Sequence, residues 1–236
     1  MKTGAILQSG RFTATPDQLT RALDAHKQRL DKLDVGSRVI LLTEMSPNKY
    51  DNTLADWADH NGWHVHHPVT TGPDECAILS QRPFRRQSYF LLTHLRLDKR
   101  VTNRTAPLFV TAARPRGDDW FAVWHSPAHN EGLRPGNHAT RVYQSALGGL
   151  KAWRMRIGGR PTLAGDWNAD ARRKRVQDIL LARFPKMQWA GTGRQRPTEG
   201  GRVIDGFVTR RRVVERARTS PAMDGFDHRA VICVLG

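Results

Sequence analysis

Apolar and polar positions change period several times along the chain, and each change marks an element. From Asp17 to Leu33 apolar residues recur at Leu19, Ala22, Leu23, Leu30 and Leu33, the spacing of one helix face, and Thr15-Pro16-Asp17 supplies an entry signal. Arg38–Met45 is instead a nearly continuous apolar run, as expected of a strand buried on both sides, and Met1–Gln8 predicts the first strand of the domain, before the helix. A second helix is predicted over Asn52–Asn61, ended by Gly62, and Trp63–His67 alternates as a strand. Glu75–Ser80, Ser88–Leu95, Pro107–Ala113 and Trp120–His125 predict further strands, the last two joined into a hairpin through Arg114–Asp118. Ala139–Met155 predicts a helix whose Val142, Leu147, Leu150 and Trp153 fit one face loosely, and Lys174–Phe184 predicts one with Val176, Ile179, Leu180 and Phe184 inward. Between them Pro161–Ala164 leads as a strand into Gly165-Asp166-Trp167-Asn168-Ala169-Asp170. Trp189–Gly201 predicts a polar loop, Arg202–Val208 a strand extended by Arg210–Val214, and Phe226–Val234 a closing strand.

Chemistry-bearing residues fall at the ends of these apolar runs. Asp166 and Asn168, two apart on an extended backbone, share a face, so one accepts a proton or ligates a hard cation while the other holds an oxygen. Alone, Asp-x-Asn also begins turns, helix caps and calcium loops. Trp167 between them is expected in the core, and Asp170 is expected to cap the following helix. Glu44 closes a buried strand, where a carboxylate is costly. His125 ends another and leads into Ser126-Pro127-Ala128-His129-Asn130; Asp205 sits amid apolar residues, and Asp227-His228 precedes the last strand. His64 and His66 share a strand face, yet no carboxylate or cysteine is spaced to complete a metal shell with them and His67, which leaves them on an edge or solvent-facing strand. Cys76 and Cys233 lie in strand-like runs and are expected to be buried free thiols.

At 236 residues, 39% hydrophobic and 25% charged, the chain fits a single domain spanning 1–236 with a large core. No apolar run approaches the roughly 18 residues of a membrane span. The apolar stretch at the N-terminus is too short for a signal-peptide core, so a cytoplasmic protein of a bacterium or phage-infected cell is expected, monomeric by default. The net charge of +16 is unevenly placed: residues 151–220 hold 18 Lys and Arg against 6 Asp and Glu, whereas residues 1–75 hold 8 against 10. Such asymmetry is the footprint of a polyanion partner. A GC-rich coding genome would explain many arginines but not their concentration around Asp166. Arg172, Arg173, Lys174, Arg194, Arg196, Arg210, Arg211 and Arg212 are the candidate contacts.

Taken in order, Glu44, His125 in Trp-His-Ser-Pro, Gly165-Asp166-Trp167-Asn168-Ala169-Asp170, Ile204-Asp205 and Asp227-His228 form a constellation that resembles the endonuclease/exonuclease/phosphatase superfamily. Glu75–Pro83 resembles that superfamily's Gly-x-Ala-Ile-Leu-Ser-Arg-x-Pro strand, so the resemblance covers nearly the whole chain. It implies a DNase I-like α/β fold, a four-layer α/β/β/α sandwich of two mostly antiparallel sheets. It also implies a metal-dependent nuclease, with DNA the expected substrate and Mg²⁺ (or Mn²⁺) the cofactor. Glu44 and Asp227 would bind the metal; His228, oriented by Asp205, and His125 would flank the phosphate; Asp166 and Asn168 would handle the water and a phosphoryl oxygen. Gln8 stands where the superfamily carries a metal-ligating Asn and is the candidate substitute, while Phe226 and Gly206 replace a usual Ser and a common aromatic. The comparable stretch near Arg104–Pro107 lacks the carboxylate that supports the first histidine in DNase I. The alternatives are an enzyme of the same fold acting on a phospholipid or inositol phosphate, and a non-catalytic nucleic-acid-binding relative.

Overall fold

The computed structural model describes residues 1–10, 14–68, 76–93, 108–126, 138–191 and 197–236. In chain order these form β1 (Thr3–Ser9), α1 (Pro16–Asp31), β2 (Ser37–Thr43), α2 (Pro47–Asn61), β3 (His64–His66), β4 (Ala77–Ser80), β5 (Phe84–Thr93) and β6 (Leu108–Pro115). β7 (Phe121–His125), α3 (His138–Ile157), β8 (Thr162–Asp166), α4 (Lys174–Arg183), β9 (Gln188–Trp189), β10 (Asp205–Thr209), β11 (Val213–Thr219) and β12 (Val231–Leu235) follow. One sheet has the order β11-β12-β1-β2-β4-β3 and the other β5-β6-β7-β8-β10-β9. Among the described residues, only β1 with β2 and β7 with β8 pair in parallel, each pair bridged in sequence by a helix. The remaining neighbours are antiparallel, including the predicted β6–β7 hairpin.

Strand alternation sorts the apolar side chains into three cores. Ile6, Ile40, Leu42 and Leu79 pack under Leu19, Leu23 and Leu30 of α1 and Tyr50, Leu54 and Trp57 of α2. Their strand neighbours Ala5, Leu7, Val39, Leu41 and Ile78 turn the other way and meet Phe121, Val123, Ala164 and Phe207 of the second sheet. On that sheet's far side, Val110, Trp124, Leu163 and Val208 pack under Leu147, Leu150 and Trp153 of α3 and Val176 and Phe184 at α4. The layers therefore run helix, sheet, sheet, helix, because each sheet is buried on both faces.

Local signals explain most boundaries. Thr15 caps α1 with a reciprocal Thr15/Gln18 capping box, and Gly62 closes α2 at φ 67°, a left-handed value that favours glycine. α2 starts at Pro47, five residues before the predicted entry, since Pro at the first turn costs no hydrogen bond. Both cysteines are buried free thiols. Glu75, His94, Leu95 and Pro107 of the predicted strands, Arg104–Ala106 and Pro127–Asn130 lie outside the described residues, as do the side chains of Val142 and Leu180. One strand prediction is corrected: Arg210–Val214 does not extend β10. The chain leaves the second sheet after Thr209, crosses over, and enters the first as β11. The crossover is hidden in the sequence because Arg211, inside a basic run, is 2% exposed. Its guanidinium meets Asp118 Oδ1 at 2.7 Å and Thr3 Oγ1 at 2.9 Å, tying the β6–β7 turn and β1 together.

Candidate active site

The site is the polar end of the inter-sheet core. The C-terminal ends of the parallel strands β1, β2, β7 and β8 lie on the same side as the N-terminal ends of β10 and β12. Reading along the inter-sheet face, Ala5 and Leu7 lead to Ser9, Phe121 and Val123 to His125, and Ala164 to Asp166; Phe207 leads back to Asp205. His125 and Asp205 are both in register with Asp166 on its two neighbouring strands. Glu44 follows β2 at φ 62°, a left-handed backbone unusual for a residue with a side chain.

These turns bring the polar groups together. His125 Nε2 lies 3.3 Å from Glu44 Oε1 and 3.4 Å from Asp166 Oδ2. The His228 Nδ1–H donates to Asp205 Oδ2 at 2.9 Å, and the Ser9 hydroxyl donates to Asp205 Oδ1 at 2.5 Å. Asp166 Oδ1 accepts the Asn168 backbone N–H at 2.7 Å, and Asn168 Nδ2 donates to Ser126 O at 2.8 Å. Asn168 is left-handed at φ 47°, so it reaches the site through a turn closed on Asp166 and not through the strand alternation expected of Asp-x-Asn. Trp167 is in the core, as expected, its Nε1–H bonded to Gly206 O at 3.1 Å. The space an aromatic residue would need at position 206 is filled by Trp189, 2.4 Å from where a Gly206 Cβ would stand.

Burial and crowding set the charges. Burial, then the neighbouring Asp205, raise the Asp166 carboxyl well above the ordinary range; His228 and the Asn168 N–H pull the other way, and Glu44 adds to the rise. Burial also opposes a charge on His228, but Asp205, Asp166 and Asp227 together outweigh it and push its pKa up to about 10. His228 is therefore an imidazolium at neutral pH. Two triplets, Glu44/His125/Asp166 and Asp166/Asp205/His228, each present ligand atoms within 4.8 Å of one another and could hold a metal ion. Hard carboxylate oxygens that repel each other in a buried site suit a divalent cation, which relieves the repulsion.

Six predicted residues, Glu44, His125, Asp166, Asn168, Asp205 and His228, thus form one cluster. Asp227 stands beside it, its Oδ2 4.0 Å from His228 Nε2 and its side chain 27% exposed, outside both triplets. Gln8 is fully buried on the strand face of Ile6; its Nε2 donates to Ser9 O and His228 O, and its Oε1 meets no donor among the described residues. Arg211 is corrected from a nucleic-acid contact to an internal ion pair, because it is closed off from any polyanion. Arg210 and Arg212 follow the far end of β10, roughly 17 Å from Asp205 at about 3.3 Å per residue. Arg172 is held by Asp170 at 2.7 Å and Lys174 by Asp178 at 3.0 Å, while Arg173 is exposed at the N-cap of α4. Asp170 accordingly grips Arg172 and does not cap α4. Arg194 and Arg196 lie outside the described residues. The histidine run stays outside the site: His66 bonds Ser88 O, and His67 bonds Met45 O and faces Asp51. Two contributors went unpredicted. Strand alternation alone marks Ser9, and Thr198, whose hydroxyl accepts the Ile204 and Asp205 backbone N–H groups, sits in a loop with no pattern.

No protein-family model and no curated protein matches the chain. Solved structures do match in fold. An endonuclease/exonuclease/phosphatase family protein from Bacteroides thetaiotaomicron superposes at TM-score 0.67 with 11% identity, over 100% of this chain and 95% of the other. A mannosyl-6-phosphatase from the same organism gives 0.68 with 12% identity, over 99% of each chain. A 3′ phosphatase from Neisseria, bound to a product DNA hairpin, gives 0.65 with 14% identity, over 99% of this chain and 98% of the other. The fold is that of the endonuclease/exonuclease/phosphatase proteins, the DNase I-like sandwich of two mixed sheets and four helices. No described helix is long and apolar enough to cross a membrane.

Proposed function

We propose that the chain is a hydrolase of phosphate esters, and specifically a divalent-metal-dependent phosphodiesterase that cuts nucleic acid, DNA above all. The observation that carries this is the convergence of Glu44, His125, Asp166, Asn168, Asp205 and His228 at one end of the inter-sheet core. Glu44 and Asp166 are the oxygen donors for Mg²⁺ (or Mn²⁺), with Asp227, beside His228, as a further donor; Gln8, turned to the helix-facing side of β1, is not among them. The ion, when bound, supplies positive charge to the phosphoryl and leaving oxygens.

The remaining work falls to the chain's own groups. Asp166, its Oδ1 held by the Asn168 backbone N–H, takes the proton of the attacking water. Asn168 commits one amide hydrogen to Ser126 O and keeps the other for a phosphoryl oxygen. His228, held charged by Asp205, faces the negative charge that grows on the phosphorus oxygens, and His125 orients between Glu44 and Asp166. The exposed basic surface around Arg173 steers the polyanion. A DNA-bound phosphatase of the same fold supports a nucleic-acid substrate. The sugar-phosphate phosphatase of the same fold supports a second reading, a phosphomonoesterase.

The test is a substrate panel with purified protein and Mg²⁺: supercoiled plasmid, a 3′-phosphorylated oligonucleotide, an inositol phosphate and a hexose 6-phosphate. Nicked plasmid, abolished by EDTA and restored by Mg²⁺, supports the phosphodiesterase. Phosphate release with intact plasmid would replace it with the phosphomonoesterase, and inertness toward all four would remove the hydrolase assignment.

A further inference from the structure

We infer that Ser9 is a positioning residue for the reaction, acting through Asp205 on His228. Asp205 is 1% exposed and belongs to β10 of the second sheet; Ser9 and His228, which hydrogen-bond its carboxylate, come from β1 of the first sheet and from the turn that leads into its β12. Oδ2 takes the His228 Nδ1–H at 2.9 Å, from the turn before β12, and Oδ1 takes the Ser9 hydroxyl at 2.5 Å, from the end of β1. The backbone N–H of Asp205 is fixed separately, on Thr198 Oγ1 at 3.3 Å, and the Ser9 bond restrains rotation of its carboxylate.

That rotation matters because Asp205 has neighbours of both signs. Its charge raises the Asp166 carboxyl and supports the His228 imidazolium. A carboxylate anchored on Oδ1 keeps Oδ2 on His228 and holds the imidazole plane, hence the direction of Nε2 toward the phosphate. The hydroxyl donates to a carboxylate, a bond stronger than one between neutral groups. Ser9 is itself 1% exposed and ends the Ala5-Leu7 face, so β1 delivers a hydroxyl directly after two apolar residues of that face. The bond joins the two sheets across the mouth of the site, where the apolar contacts of the inter-sheet core stop.

The consequence for rate rests on the hydrolase function proposed above, and the consequence for the imidazole rests on the hydrogen bond alone, so the experiment has two arms. Ser9→Cys keeps the shape and removes the strong donor, and Ser9→Thr keeps the hydroxyl. In the spectroscopic arm, the downfield Nδ1–H proton of His228, assigned with ¹⁵N-histidine, shifts or broadens in Ser9→Cys and returns in Ser9→Thr. In the kinetic arm, Ser9→Cys loses roughly ten- to hundredfold in kcat with KM within about twofold, and Ser9→Cys on an Asp205→Ala background loses less than about twofold more. An unshifted His228 proton in a folded Ser9→Cys protein overturns the inference, as does a full additional loss on the Asp205→Ala background. If the wild type hydrolyses nothing, the functional proposal fails while the His228 proton still decides the role of Ser9.

Discussion

Arg211 offers the sharpest test of how the two sheets are joined, because the sequence places it in a surface-like basic run. Its side chain and that of Asp118 are each 3% exposed, and the 2.7 Å bond between them is supported by Thr3 Oγ1 at 2.9 Å and Leu235 O at 3.4 Å. Replacing Arg211 with Met leaves the Asp118 charge buried with its main counterion gone, although Thr3 Oγ1 and the Asp119 N–H still donate to it. Breaking one side of such a pair costs about 3–5 kcal/mol. For a domain of this size that is a fall in Tm of roughly 6–20 °C. Replacing both partners, Arg211→Met with Asp118→Leu, should recover much of the loss, since no stranded charge remains. Urea unfolding followed by tryptophan fluorescence measures all three proteins. A wild-type midpoint for Arg211→Met would refute the inter-sheet ion pair, and strictly additive losses in the double variant would refute the stranded-charge account.

Other expectations are independent of that pair. His26 is fully buried, and burial, then Arg29, lower its pKa from 6.5 to about 3. The unfolded chain therefore takes up a proton that the native one refuses, so this stability is present above pH 6.5 and is lost as pH falls toward 3. Between pH 7 and 4.5 the loss is about 3 kcal/mol, and His26→Leu should flatten that limb of a urea-unfolding pH series. A Cβ on Gly165 would meet the Trp124 backbone O at 2.1 Å, whereas one on Gly206 would first meet the Trp189 ring, at 2.4 Å. Gly165→Ala should cost about 3 kcal/mol and Gly206→Ala nearer 1, because a ring on an edge strand moves more easily than a paired strand's carbonyl; equal losses in thermal melts would contradict this. For nucleic-acid binding, Arg173→Ala should lower the slope of log K against log salt by about 0.7–0.9, while Arg211→Met should leave it unchanged.

Much of this molecule was legible because burial on both sides of each sheet writes itself as continuous apolar runs, and because site residues sit where those runs stop. Glu44, His125, Asp166 and Asp205 were found that way, each being a charged or titratable group at the end of a buried strand. Ser9 carries the same positional signal but weak chemistry, so only its partner across the sheets reveals it. Arg211 was misread because a basic run gives no sign of which member turns inward, and its carboxylate partner lies 93 positions away. Asn168 reaches Asp166 through a left-handed turn, where the Asp-x-Asn spacing alone predicts an extended strand. Gln8 was noticed at the end of β1, but the alternation places it on the helix-facing side of the strand, where its amide braces the His228 backbone.

If the buried cluster around Asp166 and His228 hydrolyses phosphate esters, removing either group abolishes turnover without unfolding the protein. Wild type, Asp166→Asn and His228→Ala are assayed on whichever of the four panel substrates the wild type turns over, with folding followed by circular dichroism. Asp166→Asn should lose about a thousandfold or more in kcat while unfolding at or above the wild-type midpoint, because it removes a buried carboxyl crowded by Asp205, and His228→Ala should lose about as much. Folded Asp166→Asn and His228→Ala proteins that retain wild-type rates would contradict the account.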